Sequence, residues 1–213
     1  MERASCQTSN GTKVTAVVKL GRLARILQDI FYQFRKTTYD ASIKKIEYID
    51  GIMHTYDTTG TDFAPTPQLL GMCASKRDEK TLLARYGCTQ AAALMSNMLM
   101  YGLGLDKSPQ TEAKSEGEPT FADINCQVVV AVVKMKEPHR KFVRVTEKGE
   151  RDLDDPVHEF FKVTLLVNGV KESYALDLSS AQYGYYNPLV SYHDYVRERV
   201  QSSHKSLCRI IHS

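Results

Sequence analysis

The amino-acid sequence predicts an α+β fold, with N-terminal helices packed on an antiparallel β-sheet. In the first half of the chain, apolar residues recur at steps of three and four positions, which is the pattern of amphipathic helices. In the second half, valine-rich runs are separated by turn residues, and Asn168-Gly169 between two runs is a strong hairpin signal. Helices followed by an antiparallel sheet are typical of α+β proteins.

Length and composition are those of one globular domain. The chain has 213 residues, of which 42% are hydrophobic and 25% charged, and a typical domain spans roughly 100–200 residues. We therefore expect a single domain over residues 1–213. Its expected parts are a helical half (about 1–105), a polar surface loop or lid (106–120), a β-rich half (121–190) and a C-terminal helix (about 191–203).

Apolar spacing and stop residues predict the individual helices. The expected helices are 14–36, 78–86, 88–101 and 192–202. The clearest of them follows Gly87 and is stopped by Gly102, a residue type common just after a helix ends. Residues 37–70 are ambiguous and show only turn signals, among them Asp50-Gly51.

Four strands are predicted in the second half. They are expected at 125–135, 142–146, 158–167 and 173–178. The first is a buried valine-rich strand, and 142–146 is its expected partner. The last two are expected to form a hairpin across Asn168-Gly169.

Several classes of protein and site are disfavoured. The longest apolar run, 128–133, is far shorter than the ~20 residues of a membrane span. The N-terminal residues are polar and lack the apolar stretch of a secretory signal, so a cytosolic location is expected. The five cysteines are scattered without a C-x-x-C pair, which disfavours disulfides and structural zinc. The chain also lacks nucleotide-loop, H-E-x-x-H and EF-hand motifs, so no cofactor is expected.

The net charge of +3 is too small to indicate nucleic-acid binding by itself. Its distribution is uneven, because the stretch Lys13–Lys45 holds eight Lys and Arg residues against only Asp29 and Asp40. Such a stretch is usually a solvated face. Since contacts to phosphates require clustered Lys and Arg, tRNA remains an alternative partner for this region.

Cys88 is the first candidate for a catalytic role. It follows Gly87 at the first turn of a predicted helix, where the positive end of the helix dipole lowers the pKa of a thiol. The backbone N–H groups of that turn could also donate hydrogen bonds to an oxyanion. Position alone leaves a buried structural cysteine open as the alternative.

The hairpin geometry pairs a histidine with an aspartate. If Asn168-Gly169 is a two-residue turn, the residue numbers of two facing positions in the hairpin add up to 337. Phe160 therefore lies opposite Asp177. Alternate residues of a strand share a face, which makes His158 and Asp177 diagonal neighbours. The opposite face is apolar and belongs to the core, and we expect the His–Asp face not to need apolar burial. A thiol, an imidazole and an orienting carboxylate are the elements of an acyl-transfer triad.

These residues carry a resemblance to a known family. Gly87-Cys88 opening an Ala-rich helix, His158-Glu-Phe160 opening a strand and Asp177 ending the next strand resemble the transglutaminase-like branch of the papain-like cysteine enzymes. Segment 174–184 also looks like segments of fungal proteins of that superfamily. The resemblance covers residues 87–187 and implies a papain-like core with the nucleophile at a helix N-terminus.

This sequence also departs from the family. Phe160 stands where a tryptophan is usual, and no clear oxyanion-hole glutamine precedes Cys88. Gln68 and Tyr86 are the candidate stand-ins for that glutamine. The expected substrate-binding residues are Tyr86, Phe160, Gln182 and Tyr183.

Three functions remain open at this point. The first is cysteine-dependent acyl transfer on a small amide, a peptide or an activated amino acid, with Cys88 as nucleophile, His158 as base and acid, and Asp177 orienting His158. The second is an amide-bond-forming enzyme that, like cyclodipeptide synthases, uses aminoacyl-tRNA as acyl donor. The third is a non-catalytic binding module that keeps the fold with a degenerate site.

Overall fold

The computed structural model describes residues 5–39, 42–60, 64–105, 125–149, 151–152, 157–167, 169–203 and 209–210. Within these residues the fold is mixed α+β, as predicted. The expected loop 106–120 lies outside the described residues. Among the described helices, none combines the length and the apolar character that crossing a bilayer requires.

Five α-helices are described. They are α1 (Ser5–Thr38), α2 (Thr66–Gly71), α3 (Lys76–Ala84), α4 (Cys88–Gly102) and α5 (Tyr192–Arg199). In α1, Leu20, Ala24 and Leu27 recur at steps of four and three and are buried, so one stripe of the helix faces the core. The last helix is shorter than the predicted 192–202, because after Arg199 the backbone becomes extended and pairs with a strand.

The described strands form two sheets. The strands are β1 (Ile43–Ile49), β2 (Ile52–Asp57), β3 (Asn125–Met135), β4 (Phe142–Val145), β5 (Arg151–Asp152), β6 (Val157–Val167), β7 (Val170–Leu176), β8 (Leu189–Ser191), β9 (Val200–Ser203) and β10 (Arg209–Ile210). The larger sheet is antiparallel and has the order β10-β3-β6-β7-β8, with β9 also paired to β3. The smaller sheet is mixed and has the order β1-β2-β4-β5.

The smaller sheet corrects two expectations. Strands β1 and β2 lie in the half that was expected to be helical, and Asp50-Gly51 is the turn of their hairpin. The segment 142–146 does not pair with 125–135. Instead β4 runs parallel to β2, and Met53 faces Phe142 across that pair. Apolar residues of this sheet form a core of their own with α2 and α3.

The central hairpin has the predicted register. Val167 pairs with Val170 and Phe161 with Leu176, so facing positions sum to 337. One face of the sheet, with Phe161, Val163 and Leu165, packs against α1 and α4 and is buried. The other face carries His158 and Asp177.

That second face is also buried, which is contrary to expectation. The side chains of His158 and Asp177 are 0% and 1% exposed. The covering residues come from the chain after β7, chiefly Tyr183 and Tyr195 of a second apolar cluster. A carboxylate and an imidazole buried this deeply must satisfy their hydrogen bonds inside the protein.

Candidate active site

Cys88 is the first residue of α4, and its thiol is partly buried. The residue before it must be small. A Cβ atom on Gly87 would lie 2.7 Å from Cζ of Phe31 and 3.0 Å from the carbonyl oxygen of Ala84. This close approach explains why glycine precedes the cysteine, and it fixes where α4 begins.

Arg35 of α1 holds the turn that leads into Cys88. Its guanidinium donates from Nε to the carbonyl of Leu83 at 2.8 Å and from Nη2 to the carbonyl of Arg85 at 3.0 Å. It also donates to the side chain of Gln90 on α4. Arg35 is only 6% exposed, so this residue of the basic stretch Lys13–Lys45 faces the protein interior instead of solvent.

Asp177 is held by three donors. His158 Nε2 lies 2.8 Å from Asp177 Oδ2, and the hydroxyl of Tyr195 donates to the same oxygen at 2.8 Å. The backbone N–H of Ser179 donates to Oδ1 at 3.2 Å. The carboxylate is therefore fixed in position and satisfied, and it fixes the imidazole plane in turn.

The electrostatics favour a charged imidazole next to a charged sulfur. Burial by itself disfavours the imidazolium, but the carboxylate of Asp177 outweighs it and raises the pKa of His158 to about 10. Burial also disfavours the charged form of Cys88, and by itself it would raise the pKa of this thiol. Hydrogen bonds from the His158 side chain and the Glu159 backbone, together with the charge of His158, outweigh it and lower that pKa below its usual value.

Gln182 connects the histidine to the segment before Cys88. The backbone N–H of Tyr86 donates to Gln182 Oε1 at 3.3 Å, which orients the amide so that Nε2 lies 3.1 Å from His158 Nδ1. Tyr86 reaches this position with φ at 52°, an unusual value for a residue with a side chain. The side chain of Tyr86 is exposed, while that of Gln182 is half-buried.

Phe160 and Tyr183 pack around the imidazole. Phe160 stacks on His158 at 6.4 Å between ring centroids, and Tyr183 meets it edge-on at 4.9 Å. Both rings are buried. Of the four residues expected to bind substrate, Tyr86 and Gln182 are therefore reachable beside Cys88, and the other two enclose His158.

The other described cysteines and histidines lie away from this cluster. Burial raises the pKa of Cys73 and that of Cys126 to about 11. His193 is on the surface beside Asp194, and His54 is buried in β2. Among the described residues, no group of three or more His, Cys, Asp and Glu side chains could hold a metal ion.

Comparison with known proteins finds no match. No family model, no curated protein and no solved structure is similar to this chain at a significant level.

The structure adds two residues that sequence reasoning did not single out for this site. The sequence predicts neither contact. It places Tyr195 in a tyrosine cluster after Asp177, for which a substrate-pocket wall and an amphipathic surface are both open, and it places Arg35 in the basic stretch Lys13–Lys45. No local pattern marks either of them, because each reaches the site through packing between elements distant in the chain.

Proposed function

We propose that this protein is a cysteine-dependent acyl-transfer enzyme that acts on a small amide or peptide. The observation that carries the proposal is the hydrogen-bonded series from Asp177 through His158 to the Cys88 thiol. An oriented imidazole that ionises a thiol at a helix N-terminus is what formation of a thioester requires. The resemblance to transglutaminase-like enzymes is consistent with the same chemistry.

The proposed reaction has two stages. Cys88 Sγ attacks the acyl carbon, the bond from that carbon to the leaving nitrogen breaks, and His158 gives its proton to the departing amine. Water or a second amine then attacks the thioester carbon while His158 accepts its proton. The carbon–sulfur bond breaks and the Cys88 thiolate is regenerated. Attack by water gives hydrolysis, and attack by an amine gives a new amide.

Two sources of hydrogen bonds are available to the oxyanion. One is the backbone N–H groups of the first turn of α4, which point toward its N-terminus. The other is Gln182, whose Nε2 lies beside His158 and next to the Cys88 segment. In this proposal an N–H of the Gln182 amide donates to the substrate oxygen as the tetrahedral intermediate forms, because a protonated imidazole offers it no acceptor.

The decisive experiment is site-resolved alkylation with iodoacetamide across a range of pH, read by peptide mass spectrometry. Because its pKa is lowered, Cys88 should react rapidly at neutral pH, with a rate that rises as the pH passes through that lowered value. Cys73 and Cys126, each with a pKa of about 11, should react slowly there, since only ~10⁻⁴ of such a thiol is ionised at pH 7.

Asp177→Asn supplies the matched variant. It removes the carboxylate that raises the pKa of His158, so the Cys88 thiolate loses its counter-charge and the reaction should shift to higher pH. Asp29→Asn changes the same group on the exposed face of α1 and should leave the profile unchanged. Uniformly slow alkylation of the three cysteines would contradict the proposal and favour the binding module.

A further inference from the structure

A cavity of about 660 Å³ lies beside the segment that carries Cys88, and it is lined by both polar and charged side chains and apolar surface. Its walls come from the hairpin β1–β2, from the chain at the end of β4, and from Arg85 and Tyr86. The volume falls in the range of small-molecule sites, roughly 300–1,000 Å³. Tyr86 and Cys88 are two positions apart, so their Cα atoms are separated by no more than roughly 7 Å. The cavity therefore adjoins the turn that carries the thiol, through the wall that Tyr86 supplies.

Two guanidinium groups converge on one oxygen atom in this cavity. Arg85 Nη2 donates to the hydroxyl of Tyr86 at 3.0 Å, and Arg144 forms a hydrogen bond with the same side chain. Arg85 is 4% exposed and lies 3.5 Å above the ring of Phe142, so its guanidinium plane is fixed. A phenol oxygen is neutral, whereas a carboxylate carries a full charge on two oxygens and can pair with a guanidinium through two parallel hydrogen bonds.

The remaining charges of the cavity limit what it accepts. Asp57 forms an ion pair with Arg144, and the carboxylate of Glu147 receives hydrogen bonds from Thr58 and Thr59. Because these two acidic groups line the same space as the two arginines, a dianion or a polyanion would be repelled. A ligand with a single carboxylate suits this balance better than a phosphate.

We infer that Arg85 and Arg144 bind a carboxylate of the acyl substrate, and this inference rests on the function proposed above. The substrate class is an amide that carries a carboxylate a few bonds from its acyl carbon, as amino-acid-like and peptide-like acids do. Tyr86 lines this anion subsite and precedes Cys88 by two residues. Its hydroxyl occupies the place between the guanidinium groups that the carboxylate takes on binding.

The test uses two alkylating probes that differ in one group. N-Iodoacetylglycine carries a carboxylate, and N-iodoacetylglycinamide carries a neutral amide of the same size. A second pair with a γ-aminobutyrate spacer covers a longer reach. For at least one pair, the carboxylate probe should alkylate Cys88 about tenfold faster than its amide, as expected for one charge-assisted contact. Cys73 and Cys126 should show no such preference.

Arg144→Gln removes one guanidinium, so Cys88 in this variant should no longer react faster with the carboxylate probe than with the amide probe. The control variant Arg25→Gln removes the same charge from the exposed face of α1 and should keep that difference in rate. Circular dichroism checks the fold of each variant. If the Arg144→Gln variant fails to fold, Arg144→Lys keeps the charge without the two-pronged donor and should still reduce the preference.

The outcomes separate the two proposals. If iodoacetamide labels Cys88 rapidly but carboxylate and amide probes react equally, the anion subsite is wrong and the thiolate stands. If Cys88 reacts slowly with every probe, the acyl-transfer proposal is wrong. The subsite is then decided on Cys88→Ser by saturation-transfer NMR with N-acetylglycine and N-acetylglycinamide, where equal signals would overturn it.

Discussion

Three parts of the chain supply the hydrogen bonds that fix the Asp177 carboxylate. They are the imidazole of His158 on β6, the hydroxyl of Tyr195 on α5 and the backbone N–H of Ser179. Burial at 1% exposure means that no water compensates if one of these donors is lost. Tyr195 is thus a positioning residue, because it acts on His158 through Asp177.

The variant Tyr195→Phe keeps the ring and removes only the hydroxyl. We expect it to lower the free energy of unfolding by about 1–2 kcal/mol, measured by urea denaturation, because Asp177 loses one buried donor. Alkylation of Cys88 at neutral pH should slow in the same variant, since the carboxylate is held less firmly against His158. Tyr101→Phe, at a position 72% exposed on α4, serves as the control. Equal effects from the two variants would argue against the positioning role.

The His158–Asp177 contact could be predicted from the sequence because it depends on two local rules. A two-residue turn fixes the register of a hairpin, and the period of two along a strand decides which side chains share a face. The burial of the pair could not be predicted. It depends on Tyr183 and Tyr195, which fold back over the sheet from beyond the hairpin, and no local pattern encodes that return.

The start of α4 is a crowded junction of three helices. The turn between α3 and α4 passes so near the ring of Phe31 on α1 that position 87 has no room for a side chain. The position of the thiol is therefore fixed by contacts between helices, and not by the sequence of α4 alone.

Gly87→Ala should destabilise the protein by about 1–3 kcal/mol, as overpacking in a core does. Cys88 should also become less reactive in this variant, because its backbone must shift away from Phe31. In the double variant with Phe31→Leu, the cost should be smaller than the sum of the two single changes, as measured by urea denaturation. Additive effects would mean that the contact with Phe31 does not limit this position.

At the scale of elements, strands of regular pattern could be predicted and the first hairpin could not. The valine-rich strand β3 has the bounds expected from the sequence. In β1, the register shifts between Ile43 and Lys45, which breaks the alternation of apolar and polar residues that identifies a strand. The turn Asp50-Gly51 was the remaining signal of a hairpin there.

At the scale of the molecule, the smaller sheet joins the two halves of the sequence. Its strands β1 and β2 precede the main sheet in the chain, whereas β4 and β5 come from between β3 and β6. The fold class could be predicted from composition and order of elements. The second sheet could not, because the parallel pairing of β2 with β4 links segments far apart in sequence.

This shared sheet predicts that neither half folds alone. Fragments 1–120 and 121–213, expressed separately, should each lack a cooperative thermal transition by circular dichroism, because each leaves strand edges of the smaller sheet unpaired. Mixing the two fragments should restore a transition and the rapid alkylation of Cys88. A cooperative transition of fragment 121–213 alone would show instead that the larger sheet is an independent folding unit.

The left-handed backbone conformation of Tyr86 determines what a substitution at this position does to stability. In this conformation a residue with a side chain makes the fold less stable than glycine would, by roughly 1 kcal/mol. The same conformation aims the backbone N–H at Gln182 and places the phenol between two guanidinium groups. Tyr86→Gly would therefore have two opposed effects on stability: it would relax the main chain, and it would remove the phenol that forms hydrogen bonds with two guanidinium groups.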